Sequence, residues 1–160
     1  MTSAPVRDPL ADHLLTPQNA ALLLIDYQPS QLAGVHSMDR DLLINNAVST
    51  VKTIKTFAVP VVHSTINVAS GQGPTLPELA ELLTDDKPLH RTTVNSWEDI
   101  EFLEAVRATG RRKLILCALW TESAWPSPRS TRCAKGVRST PSSTPSAAPR
   151  PRPTAPVLTA

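Results

Sequence analysis

Ala20-Ala21-Leu22-Leu23-Leu24-Ile25-Asp26 decides the fold: a continuous apolar run of strand length that ends on a carboxylate. A strand apolar at every position has both faces covered, which is the signature of a parallel sheet flanked by helices. Working outward, Leu43, Ala47, Val51, Ile54 and Ala58 recur at spacings of three and four, so residues 41–57 predict an amphipathic helix. Val59 to His63 reads as a second strand, and Pro77 to Leu83 as a helix opened by its proline and closed by Asp86 to Pro88. Trp97 to Thr109 carries Phe102, Leu103 and Val106 on one side and stops at Gly110, before a third buried strand from Lys113 to Leu119. Such alternation predicts an α/β fold, a three-layer αβα sandwich around a parallel sheet, with polar groups gathering where the strands end.

The 160 residues suit one domain. No apolar run is long enough to span a bilayer, and residues 1–8 lack the pattern of a secretion signal, so a soluble, cytoplasmic protein with no membrane partner is expected. Cys117 and Cys133 have neither CxxC nor histidine spacing, which argues against a disulfide framework or a zinc site. His13, His36, His63 and His90 form no HxH or HExxH pair, and Gly71-Gln72-Gly73 opens no helix, so no metal and no nucleotide cofactor is expected.

Charge and composition divide the chain. Met1 to Glu122 carries a formal charge of −4, whereas Ser123 to Ala160 carries +6 with no acidic residue, 8 of the 16 prolines and 12 Ser or Thr. The second part has too few branched aliphatics to offset its chain entropy. The expected organisation is an N-terminal arm over 1–15, a partial α/β domain over 16–122 and a disordered Pro/Ser/Arg-rich tail over 123–160. Six basic residues over that tail are sparse, so no nucleic-acid partner is expected.

The groups at strand ends are Asp26, His63 and Trp120-Thr121-Glu122. A carboxylate closing an apolar strand is costly unless paired or placed at the crevice rim, the setting of a general base; a turn aspartate is the alternative. Arg91, read as lying between elements, could pair with Asp26 or bind an oxyanion, or could be an ordinary surface residue. Cys117 lies inside Leu114-Ile115-Leu116-Cys117-Ala118-Leu119, where a thiol behaves as a small, unreactive hydrophobe.

Together, Leu23-Leu24-Ile25-Asp26-Tyr27-Gln28, Arg91 through Asp99 and Leu116-Cys117-Ala118-Leu119-Trp120-Thr121-Glu122 resemble the isochorismatase-like cysteine hydrolases, in particular the bacterial YcaC-related subgroup. That resemblance implies an Asp, Lys/Arg and Cys site acting on a small-molecule substrate without a cofactor, usually in a homo-oligomer. Asp26 would take the thiol proton and Arg91 would hold the charged forms. Gln28, Asn95, Trp97, Trp120, Thr121 and Glu122 would contact the substrate. The nucleophile slot, which follows Trp-Thr-Glu-x in the family, is Ala124 here. Ser123 is one residue out of register and Cys117 is too far along the strand, so the chain is expected to be inactive as written.

Loss of the motif and change of composition coincide. Back-translating Ser123 to Gly136 with high-GC codons and reading from the third base spells Cys-Leu-Ala-Phe-Pro-Ala-Leu-Asp-Ala-Leu-Arg-Glu-Gly, which resembles the family's nucleophile turn and helix. The expectation is therefore a domain shifted out of frame and truncated after Glu122, with its last strand left as a bare edge. The alternative is a catalytically silent remnant, or a small-ligand- or oligomer-binding module with a basic tail.

Overall fold

The computed structural model describes residues 7–120 and the short strand 138–141. The elements are β1 (Ala20–Ile25), α1 (Pro29–Ala33), α2 (Arg40–Thr56), β2 (Val61–Ile66), α3 (Pro77–Ala80), β3 (Leu89–Arg91), α4 (Ile100–Ala108), β4 (Lys113–Ala118) and β5 (Arg138–Pro141). The strands form one sheet in the order β3-β2-β1-β4-β5, all parallel.

β1 sits at the centre because every residue in it is buried. Its alternate side chains supply two cores: Leu22 and Leu24 pack with Leu43, Ala47, Val51 and Ile54 of α2, whereas Ala21, Leu23 and Ile25 pack with Phe102 and Val106 of α4. Full burial of each such leucine contributes about 1.5–3 kcal/mol. The chain leaves β1 toward β2 and β3, then returns past β1 to β4. With right-handed crossovers, that reversal puts α2 and α3 on one face and α4 on the other. It also makes the gap between the carboxyl ends of β1 and β4 the topological switch point, where such sheets bind ligands.

The apolar stripe expected over 41–57 is that of α2, capped by the Asp39 carboxylate accepting from Leu42 N at 2.9 Å. Ala58 falls beyond the helix end, at φ +52°. Three boundaries differ from expectation. β2 begins after Pro60 and runs on to Ile66, because its polar residues Ser64 and Thr65 are buried and paired rather than terminal. α3 is a single turn. Residues 96–98 form a 3-10 turn, and α4 starts only where Asp99 accepts from Phe102 N at 2.9 Å.

β3 was not expected at all: three residues are too few for a pattern to register. Two further expectations meet the structure at its edges. Residues 8–14 of the N-terminal arm are fastened to the domain, because the buried Asn19 amide donates to Pro9 O at 3.1 Å and Leu14 O at 3.0 Å. β4 is not a bare edge, since β5 pairs with it from Lys113 to Leu116. The rest of the tail read as disordered lies outside the described residues.

Candidate active site

Asp26 follows β1 directly and adopts φ +59°, a left-handed conformation that aspartate tolerates better than most residues. Its N–H donates to Ser64 O at 3.0 Å, and its carbonyl accepts from Gln28 N at 2.8 Å, so the turn is held from both sides. The carboxylate Oδ2 accepts from Arg91 Nη2, and the two side chains are only 2% and 1% exposed.

Arg91 is the last residue of β3, in register with Ile66 of β2. The short unexpected strand is thus what brings it to Asp26. Its Nη1 donates to Thr93 O and to Val94 O at 3.0 Å, and its Nε donates to Ser64 Oγ at 3.3 Å. A buried ion pair of this kind offsets its desolvation cost only when further hydrogen bonds hold its members, as those from Nε and Nη1 do here.

A cavity of about 410 Å³ opens beside Asp26 at the switch point. Its polar wall is made by Gln31, Asn67 and Gln72, and its apolar wall by Ile66, Val94 and Trp120. Three loops after strand ends supply Asn67, Gln72, Val94 and Trp120, the end of β2 supplies Ile66, and α1 supplies Gln31. Trp120 donates from Nε1 to Gln31 Oε1 at 2.8 Å, and Gln31 Nε2 donates to Gln72 Oε1 at 3.0 Å. Gly34 is the one position on α1's end where the indole needs a missing side chain: a Cβ there would lie 3.1 Å from the ring. The Trp120 wall is therefore fixed in place by a hydrogen bond and by a close approach.

The expected site residues divide. Asp26 and Trp120 meet at the cavity, and Arg91 stands behind Asp26 as its ion-pair partner. Gln28, Asn95 and Trp97 do not line it. Gln28 is fully buried and ties the loop after β1 to the end of β2, accepting from Ile66 N at 2.7 Å and donating to Ile66 O at 3.0 Å. Asn95 caps the 3-10 turn through Trp97 N, and Trp97 packs edge-on against Phe102 in the α4 core. A polar or aromatic residue near a strand end is equally suited to holding the loops, which is what these three do here. His63 is not at a rim either, since β2 continues past it; its Nε2 meets Thr75 Oγ1 at 2.8 Å, and burial holds its pKa below the ordinary value.

Cys117 is buried in mid-strand opposite Leu24, and burial pushes its thiol up to about 11, so it is no nucleophile. Thr121, Glu122 and Ala124 lie outside the described residues. Sequence reasoning missed Gln31, Ile66, Asn67, Gln72 and Val94. The available signal was Gly71-Gln72-Gly73, whose glycines at φ +89° and +79° mark a tight loop after β2. Among the described residues no cluster of His, Cys, Asp or Glu could hold a metal ion, and no helix is long and apolar enough to cross a membrane.

Comparison with known proteins gives a consistent result. The isochorismatase domain matches residues 20–125. The probable hydrolase YcaC of Escherichia coli (strain K12) is 32% identical over 109 residues, covering 68% of this chain and 52% of that protein. The crystal structure of the Escherichia coli YcaC gene product, described as an octameric hydrolase of unknown specificity, superposes with a TM-score of 0.72 at 28% identity, over 88% of this chain and 66% of that one. YcaC from Pseudomonas aeruginosa, solved with hexane-2,5-diol and covalent acrylamide, gives 0.62 at 30% identity, over 64% of this chain and 52% of that one. The chain thus spans about half the length of the curated relative it matches.

Proposed function

This chain belongs to the isochorismatase-like hydrolase family, YcaC-related subgroup, and from that membership we propose a site for Cys-dependent hydrolysis of a small amide, imide or related substrate, with the sulfur missing. The observation that carries the reading is the buried Asp26–Arg91 pair at the wall of a cavity beside Trp120.

The proposed reaction runs as follows in a chain with cysteine at the family slot. Asp26 accepts the thiol proton, and the sulfur forms a bond to the carbonyl carbon. The C–N bond then breaks, the leaving amine takes the proton from Asp26, and water cleaves the thioester to release the acid and restore the thiol. Arg91 is a positioning residue: its guanidinium is anchored on Thr93 O, Val94 O and Ser64 Oγ, and it fixes one oxygen of the Asp26 carboxylate. No metal or organic cofactor enters these steps.

Position 124 is alanine, so the covalent step has no nucleophile in the chain as written. We attribute this to a shifted reading frame after Glu122. The test is to assay the chain beside a version read in the shifted frame from Ser123 onward, with primary amides as substrates. Turnover by the restored chain alone is expected, and Asp26→Asn in that chain should lower it about 10²–10⁴-fold. Turnover by the unrestored chain overturns the inactivity. An unaffected Asp26→Asn variant overturns the assigned base. The Escherichia coli relative is described as octameric; homo-oligomerisation of the restored chain is the corresponding expectation, read by light scattering.

A further inference from the structure

The geometry points to Gln72 as a hydrogen-bond donor to an acceptor atom of the substrate, with Gln31 as the positioning residue that turns its amide that way. This rests on the reading of the cavity as the substrate site and deepens it, because it assigns one polar contact and the direction of that contact.

An indole N–H donates and cannot accept, so it gives a direction to every amide linked to it. Trp120 Nε1 donates to Gln31 Oε1 at 2.8 Å, which settles which end of the Gln31 carboxamide is oxygen. The other end, Nε2, donates to Gln72 Oε1 at 3.0 Å, and Ser30 Oγ lies 2.6 Å from that same oxygen. Turning the Gln72 amide over would set its nitrogen against the nitrogen of Gln31 and forfeit that bond. Gln72 is therefore held with its oxygen toward α1 and its Nε2 on the opposite edge. That nitrogen has no acceptor among the described residues, and Gln31, Gln72 and Trp120 all line the cavity.

The backbone that carries Gln72 is held as well. Gln72 N donates to Asn67 O at 3.3 Å, Ser30 Oγ lies 2.6 Å from Gln72 O, and the fully buried Gln28 donates from Nε2 to Gly73 O at 2.6 Å. A donor fixed in both backbone and side chain loses little freedom when a ligand arrives, so more of the hydrogen bond appears as affinity. The indole that sets the direction of the chain is itself a cavity wall. The ring a ligand packs against and the donor it bonds to thus belong to one hydrogen-bonded unit, built from α1, the loop after β2 and the residue that closes β4.

The experiment uses two soluble, planar probes on the full chain at neutral pH: acetophenone, which only accepts hydrogen bonds, and aniline, which chiefly donates them. Binding is read from the indole N–H resonance of Trp120, assigned by its loss in Trp120→Phe. Gln72→Met keeps the length of the side chain and removes the donor, so the affinity ratio of acetophenone to aniline should fall about three- to tenfold, the net worth of one hydrogen bond. In Gln31→Glu the carboxylate still accepts from Trp120 but cannot donate, so Gln72 turns its Nε2 to Glu and its Oε1 to the cavity. The ratio should then fall at least as far, while the indole N–H stays slow to exchange with solvent. General damage to the site would weaken both probes together and leave the ratio alone. A ratio unchanged by Gln72→Met overturns the donor and leaves the hydrolase reading intact, and a ratio unchanged by Gln31→Glu overturns the positioning. Failure of both probes to perturb Trp120 in the unaltered chain at millimolar concentration removes the cavity as a substrate site, and the proposed function with it.

Discussion

Removing Arg91 while leaving Asp26 is the most demanding perturbation of the site. Arg91→Met keeps the apolar stem and deletes the charge, so Asp26, 2% exposed, becomes a buried carboxylate without its cation, and Thr93 O, Val94 O and Ser64 Oγ lose their donors. Breaking a buried pair from one side costs about 3–5 kcal/mol, a large share of the 5–15 kcal/mol that a domain of ordinary stability possesses. Asp26→Asn leaves the complementary problem, a buried guanidinium facing a neutral amide. Asparagine is the right substitute because the position sits at φ +59°, where alanine would add backbone strain. The double variant Arg91→Met/Asp26→Asn removes both charges together and should recover about 2–4 kcal/mol relative to the sum of the single losses. Urea unfolding followed by circular dichroism at neutral pH measures all four corners of the cycle. Additivity within about 0.5 kcal/mol would mean that the pair is not coupled and that the electrostatic account of the site is wrong.

Other expectations follow from single contacts. Gly34→Ala, at an ordinary φ of −81°, introduces no backbone strain but places a Cβ 3.1 Å from the Trp120 ring; the indole N–H resonance should shift as its bond to Gln31 is disturbed, and an unchanged resonance contradicts the fixed wall. His63 is held below its ordinary pKa chiefly by burial, so the unfolded chain takes up a proton near pH 6.5 that the folded one refuses. The contribution is therefore complete above about pH 6.5 and is lost as pH falls from there toward the lower folded value. His63→Gln should unfold with a flatter dependence on pH between about 7.5 and 5.5 than the parent, and an identical slope excludes the assignment. Cys117, with its thiol pushed up to about 11, should react with a disulfide reagent at pH 8 roughly 10²-fold more slowly in the folded than in the unfolded chain, measured in a Cys133→Ser background; rapid reaction of the native protein refutes its burial.

Legibility differed from residue to residue along the chain for physical reasons. The stripe Leu43, Ala47, Val51 and Ile54 is readable because helical period is a property of near neighbours, and those four residues are the ones α2 buries. Pro60 ahead of β2 and the polar Ser64 and Thr65 within it disguised that strand's extent, since their burial is satisfied by partners from elsewhere in the fold. Gln28, Asn95 and Trp97 carried chemistry that suits a pocket wall equally well as a loop anchor, and only packing separates those uses.

Sequence alone determined the alternation of strand and helix, the parallel sheet, and the position of Asp26 at the end of its strand, because each is written in adjacent residues. Tertiary structure decided the rest. It put Arg91, 65 positions away, against Asp26 by pairing a three-residue strand to β2. It also assembled the cavity from Gln31, Asn67 and Gln72, residues of no periodic pattern. Loops at the ends of parallel strands become neighbours only once the strand order is set, and that order is fixed by register and crossover direction across the whole sheet.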